Sequence, residues 1–261
     1  MPPLIINADD FGISSEVNAA ILESFNHGWC SSSTLMPNME GTEEAAQLTV
    51  DHRLTNHIGL HLVLDDQADP LSEDIKKIPR FCDSEGRLSF SRRSPTFRLD
   101  TSEKAALAKE IRAQIDRCRG LGVPLTHIDS HHHVHTEWAI GKVLIQVAKE
   151  KQIRHLRLSR NAGSSLGFVK RTYKGCFNWR VRRAGLARTQ FFVGLRDYVN
   201  IASDTELGQV PTIFEVMVHP GFDETGNVIN YDENDPLGDL VTRIKGFAGA
   251  ESFSGHRYSP N

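Results

Sequence analysis

Five of the twelve histidines of this chain lie within nine residues, in the run His127-Ile128-Asp129-Ser130-His131-His132-His133-Val134-His135. Imidazole is the commonest metal ligand, and a nearby carboxylate or carbonyl usually orients its second nitrogen. In extended backbone, side chains alternate between faces. Positions 127, 129, 131, 133 and 135 then share one side for as long as the strand lasts, and one or two of these histidines are expected to be ligands. An idle surface cluster or a purification tag would also be rich in histidine, but this run is internal and interrupted by Asp, Ser and Val.

Three further positions could join it. Asp9-Asp10 follows the apolar run Leu4-Ile5-Ile6; one acid could bind a metal while the other stays available as a base, although Asp-Asp before Phe11-Gly12 also suits a turn or helix cap. His61 sits in the apolar stretch Gly59-Leu60-His61-Leu62-Val63, where a hydrogen-bonded core histidine is the commoner role. His219 precedes Pro220-Gly221 at the end of another apolar run, where a turn histidine is the commoner role when it is taken alone. Taken together, the set fits metal-assisted hydrolysis. Three protein ligands leave room for water and substrate, a carboxylate takes the proton of the water, and a histidine protonates the leaving amine.

The elements that must position these groups alternate between strand and helix. Strands are expected at Leu4–Ile6, 57–64, 124–129, 153–158 and 212–218. Helices are expected over 15–27 with Gly28 as terminator, from an N-cap at Ser102 to Gly120, and over 138–151 with Ile140, Val143, Leu144 and Val147 inward. Such alternation implies an α/β fold with mainly parallel strands, in which chemistry collects at the strands' C-terminal ends. Asp9-Asp10, His61, His131 and His219 occupy four such ends. Residues 65–101 are polar, carry Pro70, Pro79 and Pro95, and read as a long excursion over one face that helps select the substrate.

The chain of 261 residues is expected to be one domain spanning 1–261. A net charge of −3 gives no general argument for nucleic acid. No apolar run is long enough for a membrane span, and the N-terminus lacks a basic region and meets Asn7 too soon for a signal peptide. Cys30, Cys82, Cys118 and Cys176 are scattered without a CxxC pair, which fits a reduced cytoplasm.

Four stretches occur in the order of one known family. Asn7-Ala8-Asp9-Asp10-Phe11-Gly12, Gly59-Leu60-His61-Leu62, Thr126-His127-Ile128-Asp129-Ser130-His131-His132-His133-Val134-His135 and Glu215-Val216-Met217-Val218-His219-Pro220 resemble the YdjC-type carbohydrate deacetylases, which include chitooligosaccharide deacetylase and hopanoid-biosynthesis-associated relatives. The first and third strings are specific; the other two would be weak alone. The resemblance implies a barrel-like α/β fold that removes acetyl groups from N-acetylated sugars. It assigns one divalent cation to Asp10, His61 and His131, the general base to Asp9 and the general acid to His219, and places Arg157 at the site as a substrate contact. It points to magnesium, whereas two imidazoles and a carboxylate suit zinc, iron, nickel or cobalt equally well. The chain departs from its relatives at 246–261, a Gly- and Ser-rich stretch expected to be irregular, so the last barrel turn is expected to be incomplete.

Other readings are a different metallohydrolase, such as a phosphoesterase, and a non-catalytic carbohydrate-binding protein of the same fold. Phosphoesterases usually need two metals and more bridging carboxylates, and a binding protein would not need both the base and the acid. Residues 168–188 carry seven basic side chains, no acidic one, and interleaved aromatics. A solvated helix with a buried aromatic side accounts for this; so does contact with an anionic substrate, a lipid-linked sugar or a membrane surface. The sequence is also compatible with a homodimer.

Overall fold

Six short strands carry the fold: β1 (Leu4–Phe11), β2 (Ser32–Leu35), β3 (Ile58–Leu62), β4 (Ile128–Ser130), β5 (Phe191–Gly194) and β6 (Phe214–Val218). They pair in the order β4-β3-β2-β1-β6-β5, every pairing parallel. All residues of β2, β3, β4 and β6 are buried, as expected for a parallel sheet covered by helices on one side and packed with side chains on the other. The structure is a computed structural model, described over residues 4–93, 95–163, 168–186, 189–202 and 213–248.

The sheet curls into a half-barrel, and an irregular segment bridges its open side. Leu156 makes a single parallel bridge with Ile128 of β4, and the Arg157 amide donates to the Ile128 carbonyl at 2.9 Å. Four residues on, the Asn161 amide donates to the Phe192 carbonyl of β5 at 3.2 Å, and its side-chain oxygen accepts from the Phe192 amide at 2.9 Å. The strand expected over 153–158 is therefore reduced to one bridge. The Leu156 amide bonds the Leu186 carbonyl in a loop instead of a strand partner, so no ladder propagates. The strand expected over 124–129 also starts late, at Ile128. Pro124 has no N–H to give and Leu125 sits at φ +62°.

The helices are α1 (Ser15–Asn26), α2 (Thr42–Asp51), α3 (Thr101–Gly120), α4 (Trp138–Glu150), α5 (Phe168–Arg183), α6 (Leu195–Ala202) and α7 (Leu237–Ala248). Ser14 caps α1. Asp100, not Ser102, caps α3: its carboxylate accepts from the Glu103 amide, and Glu103 reaches back to the Asp100 amide in a capping box. Two reciprocal bonds outcompete the single hydroxyl, and Ser102 donates to Asp100 in turn. In α4, Ile140, Val143, Leu144 and Val147 face inward as their spacing indicates.

The excursion ends at Asp100, since Thr101 already belongs to α3. Phe81 and Phe90 anchor it in the core. Beyond β6, an antiparallel sheet of β7 (Pro220–Phe222), β8 (Val228–Asn230) and β9 (Asp235–Pro236) packs against α1. Helix α7 extends through Gly246-Phe247-Ala248, which had been expected to be irregular; residues 249–261 lie outside the described residues.

Candidate metal centre and active site

Asp9 and Asp10 stand at the C-terminal end of β1, where the register against β2 shifts between Ala8 and Phe11. In a regular strand the two acids would point to opposite faces. Here Asp10 takes φ +68°, a left-handed conformation that Asp tolerates better than most residues, and the bulge re-aims it. Gly12, at φ +97°, completes the turn where an added Cβ would come within 3.0 Å of the Met36 carbonyl oxygen. As a result both acids face one site, each with a carboxylate oxygen 3.9 Å from His219 Nε2.

The histidine run does not continue as a strand. After Ser130 it winds into a 3-10 turn over His131–Thr136, with His132 and His133 at φ +46° and +55°. The alternation expected along 127–135 therefore breaks at His131. His131 reaches the site, His133 lines the cavity, and His135 turns inward to Ser130 at 2.6 Å. His127 lies beneath, stacked on Gly59, whose added Cβ would meet its ring at 2.5 Å.

Asp10, His61 and His131 do come together. One Asp10 oxygen lies 3.1 Å from His61 Nε2 and 2.8 Å from His131 Nδ1. The far nitrogen of each imidazole is held by another acid, His61 Nδ1 by Asp129 at 2.7 Å and His131 Nε2 by Asp66 at 2.8 Å. That arrangement fixes each ring and its tautomer, as carboxylate partners of metal-binding histidines do. A buried chain links Asp129 back to Asp9. The Thr34 hydroxyl donates to Asp129 at 3.1 Å, and Asn7 donates to Thr34 at 3.2 Å and to Asp9 at 2.9 Å.

Arg157 is fully buried, neither a surface charge nor part of the cavity wall. It grips both Asp9 oxygens, at 2.5 and 2.7 Å, and pairs with Asp129 at 2.8 Å and Glu215 at 2.5 Å. Phe192 packs on its guanidinium, 4.7 Å from the ring centre. The geometry makes Arg157 a positioning residue for Asp9, in place of the substrate contact expected from sequence.

These contacts set the charge states. Burial alone would raise the Asp9 pKa, but the Arg157 guanidinium holds it well below the usual carboxylate range. Asp10 is likewise lowered against burial by hydrogen bonds from His131 and His61. His61 is raised against burial by Asp129 and Asp10. His219 is raised against burial to about 9, chiefly by its bond to Asp232, whose Oδ2 lies 2.8 Å from His219 Nδ1. Burial pushes His133 down to about 3, leaving it neutral.

The donor set fits a divalent cation. Asp9, Asp129 and Glu215 meet one guanidinium, and Asp10 adds a fourth carboxylate beside His61 and His131, an excess of negative charge that a low-dielectric site does not tolerate unpaired. Without a cation, protons on His61 and His131 make up the difference. The oxygen and nitrogen ligands of Asp10, His61 and His131 all lie within 4.8 Å of one another. The resulting group of one carboxylate and two imidazoles leaves coordination positions for water and substrate.

This centre floors a cavity of about 550 Å³. Ile13, Val17 and Met217 give it an apolar side, and Arg160, Tyr231 and Asp232 line its rim. No described residue of 65–100 belongs to the wall. The excursion touches the site only from behind, through Asp66 on His131, Asp65 on His132 at 2.8 Å, and Arg92 on Glu137 and the His132 carbonyl. The wall opposite is built by the β7–β9 sheet. Sequence reasoning missed Thr34, Asp66 and Asp232, whose types and neighbours carry no distinguishing signal. Glu215 was legible in principle, as a lone carboxylate inside the apolar run 212–218.

The fold and site define a parallel α/β half-barrel with an Asp-His-His group able to hold a metal ion at the C-terminal ends of its strands. The chain belongs to the YdjC-like protein family, whose model matches residues 3–245. It is 32% identical over 231 residues to a carbohydrate deacetylase of Clostridium beijerinckii, covering 84% of this chain and 81% of that protein. It is 42% identical over 150 residues to a carbohydrate deacetylase of Brevibacillus brevis, covering 58% of this chain and 57% of the relative. A chitooligosaccharide deacetylase of Yersinia pestis matches at 34% over 161 residues, 60% of each chain. The aligned stretch thus spans less than two thirds of the Brevibacillus and Yersinia proteins. A crystal structure from Enterococcus faecalis V583, of a protein provisionally assigned to cellobiose-phosphate cleavage, superposes with a TM-score of 0.73 over 98% of this chain and 97% of that one, at 21% identity. That likeness shows the fold.

Proposed function

We propose that this protein is a carbohydrate N-deacetylase, hydrolysing the acetamide of an N-acetylated sugar with one divalent cation held by Asp10, His61 and His131. The observation that carries the reading is the convergence of that ligand set with Asp9 and His219 on the floor of one cavity. The names of the Clostridium, Brevibacillus and Yersinia relatives supply the substrate class, and a cavity of about 550 Å³ accommodates a sugar residue. Magnesium is the ion the family resemblance implies.

A cation at this centre would polarise the acetyl carbonyl and bring the pKa of a water towards neutrality. The remaining chemistry falls to the chain's own side chains. Asp9 is ionised and lines the cavity, and Arg157 prevents it from swinging away, so its carboxylate accepts the proton of the attacking water. A carboxylate so depressed is a weak base, which matches a water that is already acidic. His219 presents Nε2 to the cavity while Asp232 holds Nδ1, an arrangement that favours the protonated ring. It donates its Nε2 proton to the leaving nitrogen, which departs poorly without one. The apolar side of Ile13, Val17 and Met217 suits the acetyl methyl. We also place the protein in the cytoplasm; its free thiols, Cys30, Cys82, Cys118 and Cys176, support a reducing compartment.

His219→Ala tests the reading. Acetamide hydrolysis is expected to fall by about 10²–10⁴-fold, and hydrolysis of an activated aryl acetate by much less, with bound metal unchanged. An equal loss on both substrates would mean that His219 does not act as the acid.

A further inference from the structure

Helix α5 is not used by the chemistry above, and its surface is unlike the rest of the molecule. The segment 168–188 has seven basic residues and no acidic one in a chain of net charge −3. The inner side of the helix is accounted for. Phe177 and Val181 are buried in the core, Tyr173 accepts from the Trp138 amide at 3.0 Å, and Arg180 lies over the Trp138 ring at 3.2 Å.

Its outer side is not explained by packing. Trp179 is 62% exposed, with Arg183 over its ring at 5.5 Å. A basic cleft lies on each flank. On one, Arg171, Lys174 and Arg182 line a cavity of about 320 Å³ whose described lining residues include no acid. That cavity shares Arg160, which pairs with Asp197 at 3.5 Å, with the wall of the catalytic cavity. On the other, a groove of about 760 Å³ runs between α3 and α4, again with no acid in its lining. Within it, Lys109 and Arg112 are answered by Asp74 and Glu150, whereas Arg98, Lys104 and Lys142 have no acidic partner among the described residues. Phe97, 59% exposed, stands at its edge against Tyr173, 6.1 Å between ring centres.

We propose that this face docks on an anionic lipid bilayer, with Trp179 and Phe97 entering the interface and the two clefts receiving headgroup phosphates. Two large aromatic side chains held out in solvent among cations are what an interfacial surface requires: the rings gain at the headgroup boundary, and the cations gain from the surface potential. A nucleic acid would use the cations but has no comparable use for two exposed aromatics among them. The shared Arg160 puts the docking face next to the catalytic cavity, so a docked protein would hold that cavity near the membrane surface. The inference goes beyond the deacetylase reading and does not depend on it.

Co-sedimentation of the full chain with vesicles tests it. Wild type is expected to bind vesicles containing phosphatidylglycerol at least 10-fold more tightly than pure phosphatidylcholine, and to be released by salt. Arg182→Gln with Arg183→Gln should weaken binding by roughly 30-fold, at about fivefold per charge. Trp179→Ala with Phe97→Ala should weaken it by 10-fold or more while leaving the circular-dichroism melt unchanged. Because Arg182 also bonds the Gln190 carbonyl, the aromatic pair serves as the variant that does not disturb the fold. Equal binding to both vesicles, no binding to either, or aromatic variants that bind like wild type would overturn the proposal. So would a duplex DNA that competes fully with vesicles while the aromatic variants stay unaffected.

Discussion

Adjacent aspartates serve one site only because the backbone between them stops alternating, and the left-handed Asp10 in the β1 bulge does this. The division of labour follows from their neighbours. Asp9 is locked by a bidentate guanidinium, while Asp10 shares one oxygen with two imidazoles. The same logic gives Asp66 a task. It stands to His131 as Asp129 stands to His61, bonding the nitrogen that faces away from Asp10. Asp66→Asn is expected to raise the metal dissociation constant by about 10–100-fold, the usual cost of losing such a partner, with near-normal turnover at saturating metal. Calorimetric metal titration checks this; an unchanged affinity would show that Asp66 does not orient His131. At this scale the sequence put Asp9, Asp10, His61, His131 and His219 forward together, as polar residues at or near the ends of expected strands, and the structure brings the five to one cavity. Their second partners were not legible, because Asp66 and Asp232 reach the site through turns whose geometry no local pattern encodes.

Elements decide which surface the substrate meets. From sequence the long excursion was expected over one face, helping to select the substrate, yet Phe81 and Phe90 sink into the core and it supports the histidine run from behind. Polarity and proline content revealed an excursion but not which way its few aromatics would turn. The cavity wall comes instead from the β7–β9 sheet, too short in each strand to leave a periodic signal. Tyr231, 74% exposed on that wall, is placed to stack on a sugar ring. Tyr231→Ala is expected to raise KM several-fold with kcat little changed, since its exposed side chain takes no part in the proposed proton transfers; steady-state kinetics on N-acetylated oligosaccharides reads the split. A fall in kcat with KM unchanged would remove Tyr231 from sugar binding. The helices were more legible: the apolar stripe of α4 and the ends of α1 follow from spacing and caps, whereas the α3 cap went to the residue able to make two bonds.

For the whole molecule, the barrel interior is a store of ionisable groups whose states depend on one another, and this makes stability depend on pH in a definable window. His127, His133 and His135 are buried and held neutral, their pKa values pushed below 6.5, first by burial and then by Arg157 for His127 and His133 and by His133 for His135. The unfolded chain takes up protons on all three as pH falls through 6.5, and the native chain does not. Each such histidine should therefore lower stability below pH 6.5 by about 1.4 kcal/mol per unit. His61, His131 and His219, whose pKa values are raised, oppose that fall near pH 6.5, where the unfolded chain is still taking up protons, and add no slope below about pH 5.5, where both states are charged. Urea melts of chelator-treated protein should show the fall most clearly between about pH 5.5 and 5, and a flat profile there would mean that His127, His133 and His135 are not buried as neutral rings.

On the proposed reading, catalysis requires one divalent cation on Asp10, His61 and His131. Acetate release from an N-acetylated chitooligosaccharide, followed as metal is added back to chelator-stripped protein, tests this. Stripped protein should release negligible acetate, and the rate should rise to a plateau at one equivalent per chain. Asp10→Asn should need far more metal, and Asp9→Asn should bind the metal yet release acetate about 10²–10⁴-fold more slowly. Undiminished release from stripped wild-type protein would contradict it.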